Sequence, residues 1–128
     1  MWTWVVGLFL VAHGLVHVAV WAAPVAKDQP FDPHHSWALE GAGVSTATVD
    51  SAARVMSIVS AVAFVVGGIA LLAGVEVWRP ITVVASVLGL AMAVVWFHPW
   101  FTVDVLINAG LLLGLTVWEW PTTAMVGV

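Results

Sequence analysis

Four long apolar runs divide the chain, and short stretches containing proline, glycine or charged residues separate them. The runs cover about residues 2–23, 52–74, 80–97 and 99–118. A helix needs about 20 apolar residues to cross the roughly 30 Å hydrocarbon core of a bilayer, because each residue rises about 1.5 Å. The pattern therefore predicts four membrane-spanning helices, with one long loop between the first two.

Proline and glycine mark the ends of these predicted spans. Pro24 follows the first run and Gly74 closes the second, which is typical of helix ends. Pro80 and Pro99 stand where the third and fourth runs begin, and the first turn of a helix tolerates a residue without an N–H. The two later connections are therefore predicted to be tight hairpins, and the spans to be antiparallel.

Tryptophan supports this interpretation independently, because its ring favours the boundary between membrane and water. We call the side where the first run begins and the fourth ends face one, and the side with the long loop face two. Face one is predicted to carry Trp2, Trp4, Trp78, Trp118 and Trp120, and face two Trp21, Trp96 and Trp100, with Trp37 in the loop. The two belts agree with the spans that hydropathy predicts.

The predicted fold is an all-α, integral membrane, antiparallel four-helix bundle, in which residues 1–128 form a single transmembrane domain. The alternative, a closed barrel of alternating strands, needs shorter and less uniform apolar segments. In the long loop, Asp32 as N-cap, Pro33 in the first turn and Gly41 beyond the end predict a short interfacial helix at about residues 33–40.

Composition narrows the possible classes of protein. Of the 128 residues, 62% are hydrophobic and 8% are charged, whereas a water-soluble domain uses about a quarter charged residues. Three basic residues against seven acidic ones leave a polyanion little to bind, so no nucleic-acid partner is expected. The lack of cysteine excludes disulfides and thiolate metal sites. We expect a multi-pass membrane protein in the lipid bilayer of a prokaryotic cell, with the first run retained rather than cleaved as a signal peptide.

Polar residues within the apolar runs concentrate beneath face two. His13 and His17 are four residues apart in the first run, and Asp104 and Asn108 have the same spacing in the fourth. At about 1.5 Å per residue, His17 and Asp104 both lie about 7 Å below face two. His13 and Asn108 both lie about 13 Å below it. If the first and fourth helices are neighbours, the two pairs meet across the bundle.

Ionisable residues are costly inside a membrane, and they often mark a functional site. Histidines at i and i+4 share one helix face, as in metal-binding helices, and a carboxylate completes a three-ligand set. The first hypothesis is therefore a transition-metal site of His13, His17 and Asp104, with His98 or a histidine of the long loop as a fourth ligand. Imidazole favours Zn or Cu over Mg or Ca. If the protein is an enzyme, a metal-dependent hydrolase of a lipid-like substrate is expected.

Two other interpretations remain open. His13, Asn108 and Arg54 are the residues expected to contact a small ligand or cofactor, and haem b or a quinone bound by a membrane anchor subunit is one such case. Alternatively, the His–Asp and His–Asn pairs are structural bonds between helices, and the protein is an accessory or assembly subunit. Small residues such as Gly110 and Gly114 predict close helix contacts, either within the chain, in a homo-oligomer or in a larger membrane complex.

Overall fold

The computed structural model describes all 128 residues and contains only helices as regular structure. In chain order they are α1 (Trp2–Trp21), α2 (Trp37–Gly41), α3 (Thr46–Leu72), α4 (Trp78–Val95), α5 (Thr102–Thr116) and α6 (Thr123–Val126), with a 3-10 turn at Pro99–Phe101 before α5. Four segments are long and apolar enough to cross a membrane: α1, α3, α4, and α5 together with its preceding turn. The predicted fold class, an all-α four-helix membrane bundle, is confirmed.

The long helices pack in sequence order, with α1 against α3, α3 against α4 and α4 against α5. The chain reverses direction at each connection, so these neighbours are antiparallel. The pair formed by α1 and α5 differs, because these two helices flank a cleft instead of packing closely along their length. The bundle therefore has one open side.

Glycines allow α1 to approach α3 closely. A Cβ atom added at Gly14 would lie 2.8 Å from Cβ of Phe64 and 2.9 Å from the main-chain oxygen of Ala61. One added at Gly68 would lie 2.7 Å from the main-chain oxygen of Gly7. The backbones meet where side chains are missing, as is common between membrane helices. This contact fixes which face of α1 turns inward, and with it the direction of the two histidines.

Two apolar clusters fill the interior. The cluster toward face one contains Val6, Leu10, Phe64, Leu71, Trp78, Ala85, Leu115 and Val126. The cluster toward face two contains Trp21, Val49, Ala53, Met92, Trp96 and Phe101. Along α1, the histidines fall between Leu10 of the first cluster and Trp21 of the second. The two imidazoles are therefore inside the bundle and at neither surface.

The long loop is anchored to the end of α4. Ser36 Oγ donates a hydrogen bond to the main-chain oxygen of Val95 at 2.6 Å, and Trp37 Nε1 donates to that of Val94 at 2.8 Å. The last carbonyl groups of a helix lack an N–H one turn later within the helix, and the loop donates to two of them. The loop is thereby held against face two.

The loop helix differs from the prediction. It spans Trp37–Gly41 rather than residues 33–40, and its N-cap is Ser36, whose Oγ accepts from the N–H of Leu39 at 3.2 Å. Asp32 instead accepts at Oδ1 from the N–H of His34 at 2.9 Å, in a turn that bends the chain before the helix begins. Both Asp32 and Ser36 have side chains that can cap a helix. Because Ser36 also bonds to α4, Ser36 is the N-cap of α2.

The second span begins earlier than its hydropathy indicates. α3 starts at Thr46, after the N-cap Ser45, whereas the apolar run starts near residue 52. Its first turns are polar, so the apolar pattern does not reveal them. Within them Arg54 Nε lies 3.1 Å from both carboxylate oxygens of Asp50, an ion pair between adjacent turns.

The tryptophans occupy the two ends of the bundle in two different environments. Trp21, Trp78 and Trp96 are buried among other side chains. The remaining six are exposed, as expected at a membrane boundary, namely Trp2, Trp4, Trp37, Trp100, Trp118 and Trp120. Three of the nine rings therefore contribute to internal packing instead of facing lipid head groups.

Candidate functional site

The candidate site lies inside the face-two half of the bundle. α1 turns Leu10, His13, His17 and Trp21 inward, at the three- and four-residue spacing of one helix face. His17 is fully buried and His13 is 7% exposed. The two rings contact edge to face, with centroids 4.9 Å apart. One helix face thus presents two imidazoles to the same region of the interior.

α5 presents an acid and an amide to that region. Asn108 Nδ2 donates to the main-chain oxygen of Asp104 at 2.9 Å and to its Oδ1 at 3.0 Å. His13 Nε2 lies 3.4 Å from Asn108 Oδ1, as the matching depths predict, and 3.8 Å from Asp104 Oδ1. The amide therefore holds the carboxylate beside the imidazole. Side chains join α1 and α5 here although their backbones stand apart.

The hydrogen bonding of His17 leaves one of its nitrogens without a partner. Nδ1 lies 3.0 Å from the main-chain oxygen of His13. A carbonyl oxygen only accepts, so Nδ1 carries the hydrogen and Nε2 of the neutral ring carries a lone pair. This Nε2 is buried and has no hydrogen-bond partner in the protein, and the same is true of Asp104 Oδ2. Two buried acceptors from different helices therefore lie in a region that supplies neither with a donor.

These side chains form a cluster that could hold a metal ion. One ligand atom from each of His13, His17 and Asp104 lies within 4.8 Å of the other two. Atoms bound to one tetrahedral Zn ion at about 2.0–2.2 Å stand roughly 3.4 Å apart, so rotations that close the group by about 1.4 Å would bring them into range. To bind through Nε2, His13 must carry its hydrogen on Nδ1, which ends its bond to Asn108. Three protein ligands leave a fourth position open.

α4 contributes Gly89, a residue without a side chain, to the wall of the site. A Cβ atom added at Gly89 would contact Oδ1 of Asn108 and would lie 2.9 Å from Nε2 of His17. Gly89 lies inside a helix and has no positive φ, so its backbone conformation does not demand glycine. Its role is to leave the space in which side chains from α1 and α5 meet.

Aromatic rings surround the imidazoles. Phe9 stacks on His13 with centroids 5.7 Å apart and an interplanar angle of 4°, and Phe64 of α3 meets the same ring edge-on at 4.8 Å. Trp21 stacks on His17 at 5.8 Å. These walls make the surroundings of the cluster apolar, and electrostatic interactions are stronger there than in water.

Two residues of the predicted site lie elsewhere. His98 Nδ1 accepts from the N–H of Trp100 at 3.2 Å, so this histidine caps the 3-10 turn before α5. Arg54 is exposed and is paired with Asp50 near the start of α3. The structure therefore leaves both outside the group that the other four predicted residues form.

The two loop histidines form a separate surface cluster. His34 Nδ1 lies 2.9 Å from Asp50 Oδ1, and His35 Nδ1 lies 3.0 Å from Glu40 Oε1. The hydrogen bond to Glu40, followed by the charge of that carboxylate, raises the pKa of His35 above its ordinary value of 6.5. These pairs connect the loop to itself and to α3, and they do not contribute ligands to the buried cluster.

Sequence reasoning did not assign Gly89 or Phe64 to the site. A glycine inside an apolar helix is typical of any close helix contact, so its residue type carries no specific signal. The depth of Gly89 in the membrane, however, is a specific signal. Counted back from the end of α4 at about 1.5 Å per residue, Gly89 lies about 9 Å below face two, between the depths of His17 and His13. No comparable signal distinguishes Phe64 from the other apolar residues of α3.

The cleft between α1 and α5 reaches the cluster from the side. Its face-two part has a volume of about 730 Å³, and His13 and Asp104 are among the residues that line it. Its face-one part has a volume of about 360 Å³ and is lined mainly by apolar residues. Phe9 and Ile107 line both parts, so the two parts are adjacent along the bundle.

No family model, curated protein or solved structure matches this chain. The chemistry of the cluster is therefore inferred from its own ligand atoms, burial and hydrogen bonds.

Proposed function

We propose that this membrane protein binds one transition metal ion, Zn or Cu, between His13, His17 and Asp104. The observation that carries the proposal is the pair of buried acceptors without partners, Nε2 of His17 and Oδ2 of Asp104. A buried polar atom without a partner costs about 1–3 kcal/mol, and a charged one costs more. A cation bound between the two residues satisfies both atoms at once.

The ligand types favour a transition metal over a hard cation. Imidazole nitrogen suits Zn and Cu, whereas Mg and Ca prefer oxygen ligands. Asp104 has no lysine or arginine partner, and its ionic neighbour is His13 at 3.8 Å, so a bound ion would compensate its charge. The bond from His17 Nδ1 to a main-chain oxygen is the kind of outer contact that orients metal-bound imidazoles.

A purely structural role accounts for less of the cluster. Side-chain pairs that only align helices are expected to leave few buried polar atoms unpaired. The contact between His13 and Asn108 fits that description. His17 and Asp104 do not fit a purely structural role, because each has a buried polar atom without a hydrogen-bond partner. The accessory-subunit interpretation therefore leaves these two residues unexplained.

The geometry does not favour haem b. A haem iron held by two histidines needs them on opposite sides of the macrocycle. The two buried imidazoles belong to one helix and have centroids only 4.9 Å apart. His98, the remaining candidate, caps a turn. The bundle thus offers no facing pair of axial ligands.

A metal ion held by these three residues would have one free coordination position, and this position favours a hydrolytic reaction. A Zn ion with three protein ligands holds water in the fourth position and lowers the pKa of that water to about 7. Such a water attacks esters and amides. A metal-dependent hydrolase of a lipid-like substrate is therefore the class of enzyme that this site would support.

Elemental analysis of Zn-loaded protein, purified in detergent and freed of excess ion, tests the proposal. We expect stoichiometric Zn in the wild type and in His98→Ala, the control for a histidine outside the cluster. His17→Phe keeps an aromatic ring but removes the ligand, and Asp104→Asn keeps the shape but removes the charge. Both should lose the metal while circular dichroism shows unchanged helix content. A wild type without stoichiometric metal, or full retention by both cluster variants, would overturn the proposal.

A further inference from the structure

The cleft extends from the candidate metal site toward face one. The residues that line its face-one part include Val6, Leu111 and Trp120. Leu106 at its rim is 66% exposed, so the cleft opens toward the hydrocarbon that surrounds the bundle. The stretch of α1 from His13 to Trp2 covers about 16 Å at about 1.5 Å per residue. A groove of this length and polarity matches an extended hydrocarbon chain.

Aromatic rings close the cleft toward face two. Trp21 stacks on Phe101 with centroids 4.6 Å apart, and Phe31 of the long loop meets Phe101 edge-on at 4.5 Å. Trp100 stacks on Phe31 at 5.8 Å. A water-soluble ligand that approaches from face two meets this layer of four rings. A molecule dissolved in the bilayer meets the open side between α1 and α5 instead.

Gly110 leaves space at the apolar end of the cleft. A Cβ atom added there would have no neighbouring heavy atom within 4 Å, and the residue is exposed. The spacing of Gly110 and Gly114 predicts a close helix contact, yet α1 does not fill this position. The absence of a side chain at Gly110 therefore widens the cleft.

The dimensions and charge of the cleft select the class of molecule that fits it. A further helix could not pass between α1 and α5 at this depth without separating His13 from Asp104, whose side-chain atoms lie 3.8 Å apart. Without a bound metal ion, a phosphate head group would face the carboxylate of Asp104, and no lysine or arginine lines either part of the cleft. A hydroxyl group suits the site, because its hydrogen can bond to Asp104 Oδ2 and its oxygen can bind a metal ion.

We propose that the cleft binds one uncharged, single-chain amphiphile of the long-chain alcohol class. Its hydroxyl group lies beside His13 and Asp104, and its chain extends toward Trp2 and Trp120. The molecule reaches the cleft from the hydrocarbon, between α1 and α5. Coordination of the hydroxyl oxygen rests on the proposed metal site, whereas the fit of the chain depends only on the cleft.

Photocrosslinking in phospholipid nanodiscs tests this assignment. The probe is a long-chain alcohol that carries a diazirine near the end of its chain, and mass spectrometry locates the labelled residues. We expect labels in the face-one part of the cleft, at residues such as Val6 and Leu111. In protein freed of metal with a chelator, unlabelled dodecanol should compete with the probe, and dodecyl phosphate should not. Labels spread evenly over the lipid-facing surface, or equal competition by the phosphate, would overturn the assignment.

A matched pair of variants tests the position of the chain. Gly110→Leu fills the open space without contact to the buried cluster, so labelling should fall about tenfold, a factor that corresponds to roughly 1.4 kcal/mol. Ala19→Leu adds the same side chain at an exposed position of α1 outside the cleft and should label like the wild type. Equal labelling of Gly110→Leu and the wild type would show that the hydrocarbon chain of the probe does not lie in the cleft.

The metal content of the same samples separates this inference from the proposed function. Stoichiometric Zn without labelling of the cleft would contradict the amphiphile and leave the metal site intact. Labelling of the cleft in protein that retains no metal would support the amphiphile and contradict the metal site. Gly110→Leu should keep its Zn, because the substitution is remote from His17 and Asp104.

Discussion

His17 donates a hydrogen bond from Nδ1 to the main-chain oxygen of His13, one helical turn earlier, at 3.0 Å. This bond fixes the ring and directs Nε2 toward Gly89 on α4. The acceptor belongs to the main chain one turn earlier, and side chains in a helix point back toward that turn. A ligand atom oriented in this way by the backbone is in position before a metal ion or substrate arrives.

We expect Gly89→Ala to disrupt the cluster while the helices remain intact. The added methyl group would contact Asn108 and lie 2.9 Å from His17 Nε2, so these side chains must move. Overpacking of an interior typically costs about 1–3 kcal/mol. Thermal unfolding in detergent should show a lower Tm, and Zn retention should fall. Gly110→Ala is the matched control, because its Cβ would meet open space, and identical Tm and Zn content in the two variants would contradict the role of Gly89.

The fold could be predicted from the sequence because hydropathy and span length are local properties. The third span, for example, is predicted at residues 80–97 and observed as Trp78–Val95. The loop was less predictable. Asp32 and Ser36 both have the chemistry of an N-cap, and only the bond from Ser36 to Val95 of α4 decides between them. That bond joins residues 59 positions apart in the chain, so no local pattern contains it.

The site could be predicted only in part, because depth and lateral position have different physical origins. The rise per residue is fixed in a helix, so counting residues correctly pairs His13 with Asn108, whose side chains lie 3.4 Å apart. The same count pairs Asp104 with His17, whereas the imidazole within 4 Å of Asp104 is that of His13. The rotation of each helix and the gaps between helices depend on contacts such as Gly14 against Phe64. Depth alone therefore reveals neither the open side between α1 and α5 nor the capping role of His98.

Ser36→Ala should release the long loop from face two. The Ser36 hydroxyl accepts from the N–H of Leu39 at 3.2 Å and donates to the main-chain oxygen of Val95 at 2.6 Å. Loss of an N-cap together with a docking bond is expected to cost about 1–2 kcal/mol. Limited proteolysis should therefore cut the loop faster in this variant.

The control for this experiment is Ser51→Ala. It removes a hydroxyl that donates to the main-chain oxygen of Ala47 at 2.9 Å, within an exposed turn of α3. This bond does not join the loop to α4. Loop cleavage at the same rate in the Ser36 and Ser51 variants would show that Ser36 does not anchor the loop.

The pair of His35 and Glu40 should make the loop sensitive to pH. Because the folded-state pKa of His35 is raised above 6.5, its contribution to stability is fully present below about pH 6.5 and is lost as the pH rises through the folded-state pKa. Glu40→Gln should lower this pKa toward its ordinary value in an NMR titration of the imidazole. Glu119→Gln, at face one, should leave it unchanged. An unaltered pKa in Glu40→Gln would contradict the pairing. Because the imidazole is exposed, the change in global stability is expected to be small.

Asn108→Ala should weaken metal binding without removing a metal ligand. Asn108 donates to Oδ1 of Asp104 at 3.0 Å and to its main-chain oxygen at 2.9 Å, so it orients the carboxylate. Loss of such an outer contact typically lowers metal affinity by about 10–100-fold. Competition with a chelator of known Zn affinity measures this difference. Leu106→Ala, a substitution of an exposed residue on the same helix, should bind Zn like the wild type.

The same variant distinguishes an orienting role of Asn108 from a packing role. Metal that binds only the folded protein stabilises it by about 2.7 kcal/mol at a free concentration of 100 times Kd, so Zn should raise the Tm of the wild type. Asn108→Ala binds more weakly if Asn108 orients Asp104, and its Tm should rise less at the same Zn concentration. If Asn108 only joins the helices through His13, the variant starts from a lower Tm but gains as much from Zn as the wild type. That second outcome would assign Asn108 to packing and leave the carboxylate oriented by other contacts.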